Sequence, residues 1–169
     1  CLSFGRGCVI IKREYAFGSL QTVEEIFFSQ AISREKARQI NPVTLAFLGD
    51  AVYALWVRER LVQTDSGSAA DFQRASAKIL SARGQSAFLD KVLPMLTEEE
   101  TEIFKRGRNA KKATKSKNAT AAEYNRSTGL EAVMGYLYLI GERERLLTIF
   151  NQTDESLLKG QALQKVFKP

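Results

Sequence analysis

Apolar residues recur at helical spacing through most of the chain. Between position 42 and about position 63, apolar residues at helical spacing share one face of a predicted helix: Leu45, Leu48, Val52, Leu55 and Trp56. We assign that face to the core. The remaining sides of the segment are also apolar, so this helix needs cover on more than one side. In a chain this short, a second subunit is a natural source of that cover.

Capping signals and helix breakers divide the rest of the chain into shorter helices. Gly67 and Pro94 interrupt the apolar pattern, and Thr97 followed by Glu100 forms a capping box that opens a helix ending near Gly107. The other predicted helices cover about residues 23–31, 69–79, 81–93, 121–140, 142–152 and 154–167. A polar link joins the first of these to Asn41-Pro42. Because no alternation typical of strands is sustained, the predicted fold class is all-α.

The length of 169 residues predicts a single domain. Residues 1–22 contain few acids and no initiator methionine, and we interpret them as a leader, an upstream extension or an expression remnant. The domain is then 23–169, with its core at about 40–150. No apolar run reaches the roughly 18 residues of a membrane-spanning helix, so we expect no membrane partner.

The residue types present narrow the chemistry that is open to an enzyme. The chain has 25 Lys and Arg against 19 Asp and Glu, a net charge of +6 that favours a polyanionic partner without proving one. It contains no histidine, which excludes histidine acid–base catalysis, zinc sites with histidine ligands and histidine-containing triads. Both cysteines lie within the first eight residues, which indicates a cysteine-free core and a reducing compartment. Catalysis would need carboxylates, lysines, hydroxyls or a bound metal.

Two acids stand alone in apolar helical segments. Asp50 is the only charged residue between Thr44 and Val57, and Glu131 is the only one between Ser127 and Ile140. Both lie beyond the first helical turn, so neither capping nor the helix dipole accounts for them. A buried carboxylate needs a cation, several hydrogen-bond donors or a metal ion as partner. Each of these acids is therefore expected to have a specific partner.

The partner of these two acids can be structural or catalytic. In the structural alternative, the acids form salt bridges with Arg58, Arg126 or similar residues. In the catalytic alternative, the Ala-Val pair after each acid indicates two helices that pack closely through small residues with Asp50 and Glu131 facing each other. Facing carboxylates would make a Mg²⁺ site with open water positions, and such an ion can activate water near a phosphodiester.

Three ordered motifs resemble one enzyme family. The segment 45–52, Leu-Ala-Phe-Leu-Gly-Asp-Ala-Val, resembles the signature helix of the ribonuclease III catalytic domain, and the segment 130–139 is similar to the second acidic helix of that family. The segments 105–111 and 124–128 resemble the compact mini-ribonuclease III branch in particular. The resemblance covers about residues 40–150.

The resemblance implies a homodimeric helical fold in which two acidic Mg²⁺ sites cleave opposite strands of double-stranded RNA. Asp50 and Glu131 would be both the catalytic residues and the metal ligands. Phe47 would pack into the partner subunit, with Leu48 and Ala51 beside it in the dimer interface. The implied role is processing of ribosomal-RNA precursors during ribosome biogenesis, in the bacterial cytoplasm or, alternatively, in a plastid.

The chain also departs from the larger members of that family. They carry further acids at the positions of Val43, Ala46, Ala82 and Thr128, and these positions are not acidic here. The compact branch shares this departure, which leaves one or two metal ions per site open. The larger enzymes also append a separate double-stranded-RNA-binding domain, and with only 28 residues after Gly141 we expect none here.

RNA must then be gripped by the catalytic domain itself, and one segment has the required charge. The segment 105–117 holds seven basic residues and no acid, among Gly, Asn, Ser and Thr residues that predict a loop. Such residues can follow the backbone and shape of an RNA duplex. The RNA-binding candidates are Lys105, Arg106, Arg108, Asn109, Lys111, Lys112, Lys115 and Lys117. Without the motifs, the same run would be a solvated loop.

Two other classes of protein compete with the enzyme. One is a noncatalytic RNA- or ribosome-binding module on the same fold, which loss of Asp50 or Glu131 would have favoured. The other is a helical protein–protein adaptor, which needs neither lone acids nor a basic loop. Tyr124, Tyr136 and Tyr138 are interpreted as packing residues rather than as platforms for stacked bases.

Overall fold

The computed structural model describes residues 30–64, 66–111 and 120–153, and from Ala31 onward these belong to one compact unit. Every regular element in these ranges is helical, which confirms the predicted all-α class. The predicted leader 1–22 and the helix predicted at 154–167 lie outside the described residues. So does most of the helix predicted at 23–31, whose last two residues, Gln30 and Ala31, are described and are not helical. No described helix is long and apolar enough to span a membrane.

Seven α-helices and one 3-10 turn make up the described part of the chain. They are α1 (Arg34–Gln39), α2 (Pro42–Thr64), α3 (Ala69–Leu80), α4 (Ala82–Val92), the 3-10 turn (Leu93–Met95), α5 (Glu98–Asn109), α6 (Ala121–Leu139) and α7 (Arg143–Phe150). Helices α2 and α6 form the central pair. Helices α4, α5 and α7 pack on α6, and α3 packs on α2.

The central pair is packed so closely that their backbones touch. A Cβ atom on Gly49 of α2 would lie 1.8 Å from the carbonyl oxygen of Glu131 on α6, and one on Gly135 would lie 2.0 Å from the carbonyl oxygen of Leu45. No side chain fits at either position. The predicted close packing of these two helices is confirmed, and the closest approach is made at the two glycines.

Helix α5 approaches α6 through glycines as well. A Cβ atom on Gly107 would lie 2.8 Å from the Cβ of Ala132 and 2.9 Å from the carbonyl oxygen of Thr128. On the facing helix, Gly129 leaves room for the ring of Phe104, which would be 2.7 Å from an added Cβ. The position of α6 is therefore set by backbone-level contacts with both α2 and α5.

An aromatic cluster connects α2 with α4 and α7. The ring of Tyr53 stacks on Phe88 at 5.4 Å, and Phe150 lies 5.4 Å from Tyr53 and 5.3 Å from Trp56. The guanidinium of Arg60 lies over the Trp56 ring at 5.5 Å. These rings supply apolar contact area between three helices.

The hydroxyl of Tyr53 is the polar end of this cluster, and it meets the Thr153 hydroxyl at 3.0 Å. Burial raises the pKa of Tyr53 to about 12, although the hydrogen bond with Thr153 acts in the opposite direction. The phenol thus stays neutral at physiological pH and keeps its partner inside the core.

Three helices begin with the same reciprocal cap. In α3, α5 and α6, the hydroxyl of Ser68, Thr97 or Thr120 accepts from the backbone N–H three residues later, and the acid at that later position accepts from the cap residue's own N–H. The capping box predicted at Thr97 is confirmed. The end of α6 is closed by Gly141 with φ of +78°, a left-handed conformation that glycine adopts readily.

Two sequence expectations about elements were wrong. The predicted polar link before Asn41 contains α1, which begins at a Ser33 cap and buries Ala37. Residues Lys105 to Asn109, predicted as loop, form the last turns of α5. Gly107 lies inside that helix rather than at its end. The missing side chain at this position lets α5 approach α6.

Candidate functional site

The two lone acids emerge where α2 crosses α6. Asp50 directly follows Gly49, and the atom that would lie nearest to a Cβ on Gly49 is the backbone oxygen of Glu131. The backbones that carry the two carboxylates are therefore brought together at one place. The two acids lie on neighbouring helices, as the sequence predicts, and the glycine contact explains how their backbones come close.

Asp50 and Glu131 differ in exposure. Asp50 is exposed and Glu131 is half-buried, so the expectation that both acids are buried was wrong for Asp50. Asp50 belongs to the solvent-facing part of α2, and its charge carries no burial cost that a cation must offset. A carboxylate open to solvent is suited to a ligand that arrives from solution.

The cations named in the structural alternative are placed elsewhere. Arg126 forms an ion pair with Asp90 of α4 and donates to the carbonyl oxygen of Ser86. Arg58 follows Asp50 by eight positions on the same helix, about 12 Å along its axis, which is beyond the reach of a salt bridge. Asp50 itself makes no hydrogen bond or ion pair within the described ranges.

The donor set at this crossing fits a hydrated divalent cation with few protein ligands. Within the described ranges, no group of three or more acidic or cysteine side chains could hold a metal. Ala46 and Thr128 are 4% exposed, and the Thr128 hydroxyl donates to the carbonyl oxygen of Tyr124 at 2.9 Å. Asp50 and Glu131 are the two carboxylates carried to the crossing by α2 and α6, and Mg²⁺ commonly binds through one or two carboxylates and several waters.

The predicted RNA-binding residues fall into two groups. Lys105, Arg106, Arg108 and Asn109 lie in the last turns of α5, and all four are exposed, as is Lys111 just after the helix. Lys112, Lys115 and Lys117 lie outside the described residues. We call Lys105 to Lys111 the basic end of α5.

Arg106 and Arg108 behave differently within the basic end of α5. The guanidinium of Arg106 donates to the carbonyl oxygens of Arg38 at 2.7 Å and Ile40 at 3.2 Å. The guanidinium of Arg108 lies over the Phe104 ring at 5.8 Å, and its Nε donates to the side chain of Asn109 at 3.1 Å. Of these two arginines, Arg106 alone donates hydrogen bonds to the main chain of another helix.

The basic end of α5 lies beside the acid-bearing segment of α6. Gly107, in the middle of that end, contacts Thr128, Gly129 and Ala132, which flank Glu131 in sequence. The same segment of α6 thus meets α2 on one side and the basic end of α5 on another. The basic end of α5 therefore packs directly on the helix that carries Glu131.

A second polar cluster ties α1 to the other end of α5. Glu99 pairs with Arg34 and Arg38, each at 2.6 Å, and accepts a hydrogen bond from the Tyr136 hydroxyl at 2.5 Å. Arg34 also pairs with Glu142. Burial alone would raise the pKa of Glu99, but the hydrogen bonds from Tyr136 and Arg38 and the charges of both arginines lower it below its ordinary value. This network is not visible in the sequence pattern, because the paired residues are far apart in the chain.

The outer side of α2 is apolar and uncovered in the single chain. Phe47 is 81% exposed, Leu55 65% and Val62 63%. The expectation that Leu55 lies on the core face of this helix was therefore wrong. Of the other residues predicted for the dimer interface, Ala51 is exposed and Leu48 is half-buried. The expectation that this helix needs cover from outside the chain agrees with an apolar side that no described helix covers.

Comparison with known proteins decides the family. The family model of the ribonuclease III domain matches residues 43–142, which include both acids and the basic end of α5. The chain belongs to the ribonuclease III family. The match leaves out α1 and α7.

Individual relatives place the chain in the mini-ribonuclease III branch of these endoribonucleases. A mini-ribonuclease 3 from Symbiobacterium thermophilum is 43% identical over 122 residues, covering 72% of this chain and 94% of the relative. Another, from Brevibacillus brevis, is 42% identical over 112 residues, covering 66% and 84%. The crystal structure of a Fusobacterium nucleatum protein superposes with a TM-score of 0.62 at 32% identity, covering 68% of this chain and 91% of that one. The predicted membership of the compact branch is confirmed.

Proposed function

We propose that this mini-ribonuclease III is a Mg²⁺-dependent endoribonuclease that cleaves double-stranded RNA, with Asp50 and Glu131 as its catalytic residues and metal ligands. The observation that carries the proposal is the α2–α6 crossing, where the backbones of the two acids come together beside the basic end of α5. When bound, Mg²⁺ makes a water nucleophilic at neutral pH and stabilises charge on the phosphodiester.

The protein's own residues would hold and orient these reactants. The carboxylates of Asp50 and Glu131 would bind the ion, and the exposure of Asp50 leaves room for water and a phosphate. Lys105, Arg108, Asn109 and Lys111 would hold the RNA backbone, together with Lys112, Lys115 and Lys117 from the segment that follows. Since this work needs charge and shape rather than base recognition, it suits a duplex.

The active enzyme would be a homodimer joined through the apolar side of α2. Phe47, Leu48 and Ala51 would lie in the interface, and each subunit would contribute one site to the cleavage of one strand. The exposure of Phe47 at 81% supports this arrangement, because a side chain of that size is ordinarily covered when it belongs to an interface.

The physiological role would be processing of ribosomal-RNA precursors in the bacterial cytoplasm, with a plastid as the alternative compartment. The relatives named above are bacterial proteins, which favours the first compartment. Assay of RNA from cells depleted of the enzyme would show whether unprocessed ribosomal-RNA precursors accumulate.

The central experiment incubates the purified protein with a long RNA duplex at low salt, in Mg²⁺ and in EDTA. Asp50→Asn and Glu131→Gln should each reduce cleavage to background while duplex binding and the melting temperature stay close to wild type. The amide keeps the size of the acid but loses the charge that binds the ion. Glu59→Gln is the matched control, because Glu59 is an exposed acid on the same helix as Asp50.

The alternatives give different results in the same assay. If the two acids stabilise a buried cation, their amide variants should lose roughly 3–5 kcal/mol of stability and unfold at a lower temperature than the wild type. If folded amide variants cleave at the wild-type rate, the catalytic assignment is wrong. A wild-type protein that binds the duplex without cleaving it would favour the noncatalytic RNA-binding module.

A further inference from the structure

The guanidinium of Arg106 is bound to the main chain at the end of α1, unlike that of Arg108 in the basic end of α5. Its two Nη atoms donate to the carbonyl oxygens of Arg38, in the last turn of α1, and of Ile40, just after α1. Carbonyls at a helix end have no partner within the helix, so these two gain an external donor from α5. A forked guanidinium can reach two carbonyls in a fixed geometry, which a lysine ammonium on a flexible stem does not reproduce.

The two carbonyls belong to the connection from which α2 starts. Directly after Ile40, the side-chain oxygen of Asn41 accepts from the backbone N–H of Val43 at 2.8 Å and so fixes the first turn of α2. Asp50 lies two turns further along this helix. Arg106 therefore holds α5 to the point that sets where α2 begins.

The residue after Arg106 fixes α5 to the other acid-bearing helix. Gly107 packs against Thr128 and Ala132 of α6 at backbone distance, next to Glu131. Two consecutive residues of α5 thus hold both helices that meet at the α2–α6 crossing. Because Gly49 and Glu131 touch there without any clearance, a small displacement of α2 changes the position of Asp50 relative to Glu131.

We propose that Arg106 is a positioning residue of the active site, and that its neighbour Arg108 contacts the RNA. This inference rests on the proposed function, since it assigns Arg106 a role in placing Asp50 for catalysis. Arg106 acts through the start of α2 and touches neither the metal ion nor the phosphodiester. The sequence expectation grouped both arginines as RNA-binding residues.

The test compares Arg106→Ala and Arg106→Lys with Arg108→Ala as the matched control. Cleavage kinetics on a duplex, the salt dependence of duplex binding and the hydrogen exchange of the backbone amides of Val43, Thr44 and Leu45 are measured for each. Arg106→Ala should lower kcat by about tenfold to a hundredfold, the scale of a misplacement near 1 Å, while KM and the salt slope stay at wild type. Arg106→Lys should keep the charge without restoring kcat, and in both variants the backbone amides of Val43, Thr44 and Leu45 should exchange faster.

Arg108→Ala should do the opposite: KM should rise and the salt slope should fall by roughly one, with kcat and amide exchange unchanged. The proposal is overturned if Arg106→Ala behaves like Arg108→Ala, if the lysine variant is fully active, or if neither variant alters kcat. Should the alanine variant not fold, the lysine variant decides. A wild-type protein without cleavage activity would refute the proposed function, whereas normal amide exchange in active Arg106 variants would refute this inference alone.

Discussion

Glu100 and Arg145 show how a single pair of residues supports the framework around the site. The Glu100 side chain is 4% exposed and that of Arg145 24%, and the pair is joined by two hydrogen bonds of 2.8 Å. Arg145 also donates to the carbonyl oxygen of Met95, and Glu100 accepts from the N–H of Thr97 as part of the α5 cap. The pair therefore joins α7, the 3-10 turn and the start of α5.

The same pair gives the stability of the protein a dependence on pH. Burial alone would raise the pKa of Glu100, but hydrogen bonds from Arg145 and Thr97 and the charge of Arg145 lower it below the ordinary 4.5. A carboxyl group whose pKa is lower in the folded state stabilises the fold above its unfolded pKa. That stabilisation is lost as the pH falls from about 4.5 through the folded pKa.

We expect Glu100→Gln to lower the free energy of unfolding by about 3 kcal/mol at pH 7, the lower end for a broken buried pair, since Arg145 is partly exposed. The difference from wild type should shrink as the pH falls below 4.5 and the wild-type carboxyl takes up a proton. Urea unfolding at several pH values measures it, with Glu102→Gln as an exposed control on the same helix. A difference that does not vary with pH would contradict this origin of the stability.

At the residue scale, sequence reasoning found the acids and missed most of their setting. Asp50 and Glu131 could be found because a charge inside an apolar helix is visible in the sequence. The role of Arg106 could not, because its acceptors are backbone carbonyls 66 and 68 positions away. Glu99 was equally hidden among three consecutive glutamates, although its partners distinguish it in the structure.

At the scale of elements, the basic end of α5 combines two tasks. One side of this helical end packs on α6 through Gly107, while Lys105, Arg108 and Lys111 face solvent. A helical base fixes the spacing of these cations better than a loop would. The packing of α5 on α6 thereby fixes the position of the RNA-contacting residues.

Replacing Arg108, Lys111 and Lys112 together with Ala should raise KM for duplex RNA and reduce the salt dependence of binding. Each lost phosphate contact should lower the slope of log K against log salt by roughly one, because fewer counterions are released on binding. A binding titration between low and moderate salt measures the slope. Lys36, Lys78 and Lys91 replaced together serve as a control of equal charge. An unchanged slope in the first variant would show that the phosphates are held elsewhere.

Most helices could be predicted from periodicity and caps, and the two errors have physical causes. Helix α1 has only Ala37 fully buried and depends on ion pairs and on Arg106, which come from distant parts of the chain. Gly107 resembled a helix terminator because glycine often occupies that position. In the folded protein, the lack of a side chain matters at this position for packing rather than for a turn.

At the scale of the whole molecule, the exposed side of α2 is the feature that a single chain does not explain. The large apolar side chains of Phe47, Leu55 and Val62 are exposed to water on this side. A self-complementary contact between two copies of α2 would cover them. The need for cover is predictable from the sequence, because all sides of the helix are apolar. Which side the chain itself leaves open is visible only in the structure.

We expect the wild-type protein to sediment as a dimer at micromolar concentration and Phe47→Glu to shift it toward the monomer. The added charge would have to be buried in the interface without a partner. Leu147→Glu is the matched control, since Leu147 is 47% exposed but lies on α7, outside the predicted interface. Cleavage of both strands of a duplex should fall together with dimer content. A monomeric wild-type protein that still cleaves would contradict the arrangement.

The position of the chain's only tryptophan makes subunit unfolding and dimer dissociation separately observable. Trp56 is nine residues from Phe47, which puts the two side chains on opposite sides of α2. The indole packs against Phe150 and lies under Arg60, so its fluorescence reports the packing of α2 with α7 inside one subunit. Denaturant should shift its emission to longer wavelengths, whereas dilution that only separates the subunits should leave the spectrum nearly unchanged.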